Sequence, residues 1–100
     1  MTKHIILWQL NDNLTEQEKL SVKREIKNDL EDLKGKIEGL VDIKVNIHPL
    51  PSSNCDLMLD STFVDEAAYK GYVVHPLHVD IAQNKVKPVV KTRLCLDFEE

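Results

Sequence analysis

The stretch Leu40-Val41-Asp42-Ile43-Lys44-Val45-Asn46-Ile47-His48 alternates apolar and polar residues more regularly than any other part of this 100-residue chain. A repeat of two residues is typical of a β-strand that has one buried face. We therefore expect a strand over 40–48, with its buried side formed by Val41, Ile43, Val45 and Ile47.

An amphipathic helix is predicted immediately before this strand. Thr15 and Glu18 have the spacing of a capping box, in which each side chain bonds the other residue's backbone N–H. Apolar residues then recur every three or four positions, at Val22, Ile26, Leu30, Leu33 and Ile37. Gly35 and Gly39 indicate where the helix ends and irregular chain begins.

The remaining elements complete an α+β order. Further strands are predicted at 3–10, 57–63 and 92–98. Asp65 can cap a second helix through Tyr72, and a third short helix follows Pro76, because proline is favoured in a first turn but disfavours helical geometry just before it. The ferredoxin-like plan, β-α-β-β-α-β, is thus predicted with its second helix broken: an antiparallel sheet with helices on one face.

The face of the sheet without helices is expected to be covered by a second copy of the chain. We assign to it a mixture of apolar and polar side chains that includes Met58, Asp60, Arg93 and Cys95. A protein of this size does not readily leave such a face in water, and an isologous contact would bury it. A homodimer is therefore the expected assembly.

Composition narrows the class of protein. The hydrophobic fraction of 42%, the charged fraction of 30% and the net charge of −4 are ordinary for a single globular domain over residues 1–100. The acidic balance argues against a nucleic-acid partner, and no segment is apolar for long enough to cross a membrane. Cys55 and Cys95 lack metal-type spacing, and no signal peptide precedes them, so we expect free thiols, a cytoplasmic location and no membrane partner.

Candidate chemistry concentrates in Tyr72-Val73-Val74-His75-Pro76-Leu77-His78-Val79. The helix break at Pro76 should bring Tyr72, His75 and His78 to one corner, where imidazoles can transfer protons and the phenol can donate a hydrogen bond. The other interpretation is a packed junction, in which His78 bonds a backbone carbonyl. Because the break separates the two histidines and no second ligand motif accompanies them, neither a metal site nor a cofactor is expected.

This element also resembles a known family. His75-Pro76-Leu77-His78-Val79, read with Lys3-His4-Ile5-Ile6-Leu7-Trp8 and Lys34-Gly35-Lys36-Ile37-Glu38-Gly39, is similar to the stress-responsive α/β-barrel domain, usually called Dabb. The resemblance runs from about residue 3 to residue 98. It implies a ferredoxin-like monomer that pairs its sheet with a second copy to form a dimeric α/β barrel.

The resemblance also implies site residues. In plant polyketide cyclases that share this domain, a tyrosine and the second histidine of the His-Pro-x-His element carry an aldol-type ring closure. A histidine at the start of the first strand lies beside them, and Tyr72, His78 and His4 match these positions. A further cavity histidine of those cyclases falls at or near Leu57 here, which argues against the identical reaction.

Three functions follow as hypotheses. The favoured one is a homodimeric small-molecule-binding or stress-associated domain of unassigned activity, whose small hydrophobic ligand would contact Ile6, Trp8, His75 and Val79. The alternative is a cofactor-independent cyclase, isomerase or lyase that uses His78 and Tyr72 for acid–base chemistry. In the third, Trp8, Leu57 and Phe63 fill the space, and the dimer itself is the function.

Overall fold

The computed structural model describes residues 1–100 as a four-stranded antiparallel sheet with helices packed on one face. The strands are β1 (Thr2–Leu10), β2 (Leu40–Asn46), β3 (Leu57–Phe63) and β4 (Val90–Glu99), in the order β2-β3-β1-β4. The helices are α1 (Glu16–Glu31), α2 (Glu66–Val74) and α3 (Pro76–Ile81). A π-helical turn (Ala82–Val86) and a 3-10 turn (Lys87–Val89) lead into β4. The predicted ferredoxin-like α+β fold class is confirmed.

Helix α1 begins as the sequence predicts and ends earlier than its apolar stripe. Thr15 accepts from the Glu18 backbone at 3.1 Å, and the Glu18 carboxylate accepts from the Thr15 backbone at 2.8 Å. The helix stops at Glu31, so Leu33 and Ile37 lie in the turns that follow it, where both side chains are buried. Gly39 closes this segment at φ +81°, where an added Cβ would lie 2.4 Å from the Ala68 Cβ.

The hydrophobic core lies between α1, α2 and the helix-covered face of the sheet. Its sheet layer comes from alternate residues of the two central strands, and its helical layer includes Ile26 and Leu30 of α1. Tyr72 of α2 is wholly buried among them. Strand β1 lies between β3 and β4, which makes its inner side chains central to the core.

The strand predicted over 40–48 differs from the structure in two respects: β2 ends at Asn46, and Val41 is not part of its buried side. The pairing of β2 with β3 shifts between Leu40 and Asp42, which is a bulge with Val41 as its extra residue. Leu40 is consequently buried and Val41 is 36% exposed, whereas Ile43, Val45 and Ile47 are buried as expected. A bulge breaks the two-residue alternation because one added residue reverses the direction of the side chains before it.

The assignment of Arg93 and Cys95 to the uncovered face is also wrong. In the register of β1 with β4, Trp8 lies opposite Arg93 and Ile6 lies opposite Cys95. Side chains directly opposite each other share a face. Arg93 and Cys95 therefore stand on the helix side of the sheet, although both remain exposed.

The uncovered face is apolar along β4, whereas β1 and β3 carry both apolar and polar side chains there, including the Lys3–Asp60 ion pair. Leu94 and Leu96 are 57% and 64% exposed, although they lie opposite the partly buried Leu7 and Ile5 of β1. We call this surface the outer face and define it by Ile5, Leu7, Met58, Leu94, Leu96 and Phe98. It presents more contiguous apolar surface than the sequence pattern alone indicates.

Replacing Ile26 with alanine should lower the free energy of unfolding by about 2–5 kcal/mol, because Ile26 is 1% exposed and its truncation leaves a cavity. Val74 is 72% exposed on α2, so Val74→Ala should cost less than about 0.5 kcal/mol. Denaturant unfolding of both variants at one protein concentration provides the comparison. Equal values for the two would show that the α1 stripe is not core.

Candidate functional site

A pocket of about 450 Å³ opens between the sheet and the helical segment that leads into β4. Its apolar wall includes Ile6, Trp8, Leu30, Leu59 and Val86, and its polar groups include His4, Tyr72 and His78. Both the volume and the mixture of a mainly apolar wall with a few polar groups are typical of sites for small molecules.

Tyr72 is the most constrained residue of the pocket. Its ring is fully buried, with centroids 5.0 Å from Phe63 and 4.1 Å from His78. Its hydroxyl is the only buried side-chain polar atom of the chain without a hydrogen-bond partner. Burial raises the pKa of Tyr72, so the phenol remains protonated at neutral pH and is a donor without an acceptor.

His78 is held in a defined orientation at the start of α3. His75 caps this helix by accepting from the Leu77 backbone at 3.1 Å, and Pro76 occupies its first turn. The Nδ1 of His78 donates to the Val73 carbonyl at 3.2 Å, so in the neutral ring Nε2 is an acceptor. Burial lowers the pKa of His78, and the nearby charges of His4 and Arg93 act in the same direction.

His4 is 4% exposed on β1 and lies directly opposite Asp97 of β4. Its Nδ1 lies 2.5 Å from the Asp97 carboxylate. Burial lowers the pKa of His4, and the bond to Asp97 opposes that effect only in part. The ring centroid of Tyr69 lies 4.6 Å from that of His4, and burial together with Asp97 raises the pKa of Tyr69 to about 12.

Three cationic side chains line the pocket beside β4. Lys91 is paired with Asp12 at 2.7 Å, whereas Lys87 and Arg93 form no ion pair. The sequence pattern did not place them at the pocket, because the approach of Lys91 and Arg93 depends on the register of β4 against β1 and Lys87 lies in the turn before β4. They give this end of the pocket a positive charge despite the acidic chain.

The structure brings together five of the seven residues named from the sequence. His4, Ile6, Trp8, Tyr72 and His78 line the pocket, and His75 and Val79 do not. His75 instead caps α3 and borders a separate cleft near Gly39, while Val79 is 39% exposed. One residue turns a helix by about 100°, so a helix that presents His78 to the pocket turns Val79 away.

The four-stranded antiparallel sheet with helices on one face makes this chain a small ferredoxin-like α+β domain. The model of the Dabb family, the stress responsive A/B barrel domain, matches residues 2–100, and the chain belongs to this family.

Solved structures resemble the chain over nearly its whole length. A dimeric protein of unknown function with a ferredoxin-like fold from Bacteroides fragilis is 32% identical, with a TM-score of 0.91 over 99% of this chain and 95% of that one. A Dabb family protein from Mesorhizobium loti is 20% identical, with a TM-score of 0.79 over 99% and 95%. The hydroxynitrile lyase of Passiflora edulis is 16% identical, with a TM-score of 0.76 over 97% and 90%, and shares the fold alone.

No curated protein matches the chain. None of its helices combines the length and the apolar character needed to cross a membrane.

Replacing Tyr72 with phenylalanine should raise the free energy of unfolding by about 1 kcal/mol or more, because the change removes a buried hydroxyl that has no partner. Tyr69→Phe is the matched control, since the Tyr69 hydroxyl interacts with Asp97 and its loss should bring no gain. Denaturant unfolding measures both. A loss of stability in Tyr72→Phe would show that the hydroxyl is already satisfied.

Proposed function

We propose that the pocket binds a small, mainly apolar molecule and that the protein is a homodimeric small-molecule-binding domain. The observation that carries this proposal is the unpartnered hydroxyl of Tyr72, a residue that lines the pocket. Buried polar groups in folded proteins nearly always have a hydrogen-bond partner. Because the Tyr72 side chain is fully buried, a ligand oxygen would reach this hydroxyl through a small movement of the pocket wall, and would then offset the cost of burying it.

The polar groups around Tyr72 specify the chemistry of the ligand. Tyr72 donates, and so favours an acceptor such as a carbonyl or phenolic oxygen, whereas Nε2 of His78 accepts and favours a ligand hydroxyl. Lys87 and Arg93, which form no ion pair, favour an acidic group at the end of the pocket beside β4. An aromatic or enolic compound with a carboxylate satisfies all of these groups.

A second candidate function is cofactor-independent catalysis by the same pair. The rings of Tyr72 and His78 lie 4.1 Å apart, and a neutral His78 can act as a general base. His78 would remove a proton from the carbon next to a ligand carbonyl, while Tyr72 stabilises the developing enolate oxygen. Cyclases, isomerases and lyases all use such a step. His4, held by Asp97, would form the floor of that site.

The outer face supports the dimer. The Bacteroides fragilis relative, at 32% identity, is described as dimeric. In this chain the outer face exposes Leu94, Leu96 and Phe98 on one strand, and a second sheet would bury them in an isologous contact. Two sheets packed in this way would form the dimeric α/β barrel.

The cytoplasm is the proposed location, with no nucleic-acid or membrane partner. Cys55 and Cys95 are both free, as is usual for proteins kept in a reducing compartment. The net charge of −4 offers no general attraction to nucleic acid.

Binding can be measured by NMR titration with a panel of phenols, β-diketones and aromatic carboxylic acids. The unmodified protein should bind at least one of them, and His78→Ala should weaken that binding about tenfold or more, since a lost hydrogen bond in a buried site is worth over 1 kcal/mol. His48→Ala, at an exposed histidine outside this pocket, should leave the affinity unchanged. Equal binding by the two variants, or no binding by the unmodified protein, would refute the proposal.

Leu96→Glu should convert the dimer to a monomer, because it places a charge within the apolar contact of the outer face. Light scattering at micromolar concentration gives the mass directly. Val74→Glu adds the same charge to an exposed apolar residue of α2 and should remain dimeric. A monomeric mass for the unmodified protein would contradict the proposed assembly.

A further inference from the structure

A second group of reactive side chains adjoins the pocket: it shares His4 with the pocket lining, whereas Cys95 and Asp97 lie outside that lining. His4, Cys95 and Asp97 face one another across the β1–β4 pair, with potential ligand atoms that all lie within 4.8 Å of each other. The Cys95 Sγ is 3.8 Å from His4 Nδ1 and 3.4 Å from the Asp97 Oδ1, and those two atoms are 2.5 Å apart. We call this group the edge cluster.

Strand geometry accounts for the edge cluster. Cys95 and Asp97 are two residues apart on β4 and so share one face, and His4 lies directly opposite Asp97 on β1. His4 is buried, while Cys95 and Asp97 lie at the exposed edge of the sheet. The three groups are therefore preorganised by backbone pairing, and the cluster opens to solvent at Cys95 and Asp97.

The separations of the edge cluster can be compared with those of a tetrahedral metal centre. Zinc bonds to sulfur, nitrogen and oxygen place tetrahedral ligand atoms about 3.3–3.6 Å apart. The two distances from Cys95, 3.4 and 3.8 Å, are close to this range, and only the 2.5 Å contact between His4 and Asp97 must open. An ion would replace that hydrogen bond with two coordinate bonds, which requires a shift of less than about 1 Å.

The charges also suit a divalent ion. A thiolate and a carboxylate together carry two negative charges, and a neutral imidazole completes a set of nitrogen, oxygen and sulfur donors that suits zinc and its neighbours in the first transition row. Arg93 is the one cation nearby, and it interacts with Cys95. Tyr69 interacts with Asp97 and orients this carboxylate as an outer partner of the metal site.

We propose that His4, Cys95 and Asp97 form a site for a divalent transition-metal ion, with zinc as the best match. The ion binds His4 Nδ1, the Cys95 Sγ and one Asp97 oxygen, and solvent occupies the fourth position at the exposed edge. Cys95 loses its thiol proton to solvent, and the proton on His4 Nδ1 moves to Nε2, so one proton is released for each ion bound. The site is separate from the outer face, because these side chains stand on the opposite side of the sheet.

Calorimetric titration of the reduced protein with Zn²⁺ should give one ion per chain, with release of about one proton measured by comparing buffers of different ionisation enthalpy. Co²⁺ in place of Zn²⁺ should produce the near-ultraviolet charge-transfer band of a cobalt–thiolate bond. Cys95→Ser should abolish that band and weaken Zn²⁺ binding about tenfold or more, and Asp97→Asn should weaken it while retaining the band. Cys55→Ser, which removes the other free thiol, should change neither result.

Two outcomes would overturn the proposal: no Zn²⁺ binding at micromolar concentration, or binding that Cys95→Ser leaves unchanged. Thermal unfolding of each variant without metal confirms that it is folded before titration. Because Cys95 and Asp97 do not line the pocket, loss of metal binding in Cys95→Ser with intact ligand binding separates this site from the proposed function.

Discussion

The pairing of β1 with its two neighbours is the constraint on which the rest of the structure depends. Strand β1 lies between β3 and β4 and supplies Ile6, Trp8 and Leu10 to the core. Its register against β4 places His4 opposite Asp97. Backbone hydrogen bonds fix that register along nearly the whole length of both strands. Because a shift of one residue would reverse every side chain of β4, the core, the pocket and the edge cluster all rely on one alignment.

The pocket is assembled at a cost to the folded state. A fully buried phenol without a partner and a histidine whose pKa is lowered by burial are both unfavourable compared with apolar residues of the same shape. They persist because the break at Pro76 and the cap from His75 hold α3 against the end of α2. The residues that carry the proposed chemistry are thus distinct from the residues that position them, although His75 and His78 belong to the same short motif.

Sequence patterns predicted most of the fold and part of the site. The capping box, the α1 stripe and the helix break at Pro76 are local signals, and the structure contains each of them. The bulge at Val41 was missed because a bulge depends on the partner strand and leaves no mark in a two-residue alternation. The sequence also placed Arg93 and Cys95 on the wrong face, because the side of the sheet that they occupy depends on the pairing of β4 with β1. Lys87, Asp97 and Tyr69 were missed because they reach the site only through strand pairing and helix packing.

The π-helical turn at Ala82–Val86 links chain length to pocket shape. Its hydrogen bonds close over five residues where an α-helix uses four, so it holds one more residue than an α-helical path would. Ala82, Gln83 and Val86 all line the pocket. Deleting one residue here would restore a regular α-helical turn and change which side chains the turn presents to the pocket. Among relatives, insertions and deletions in this turn should therefore track changes in ligand size more closely than substitutions in the pocket wall.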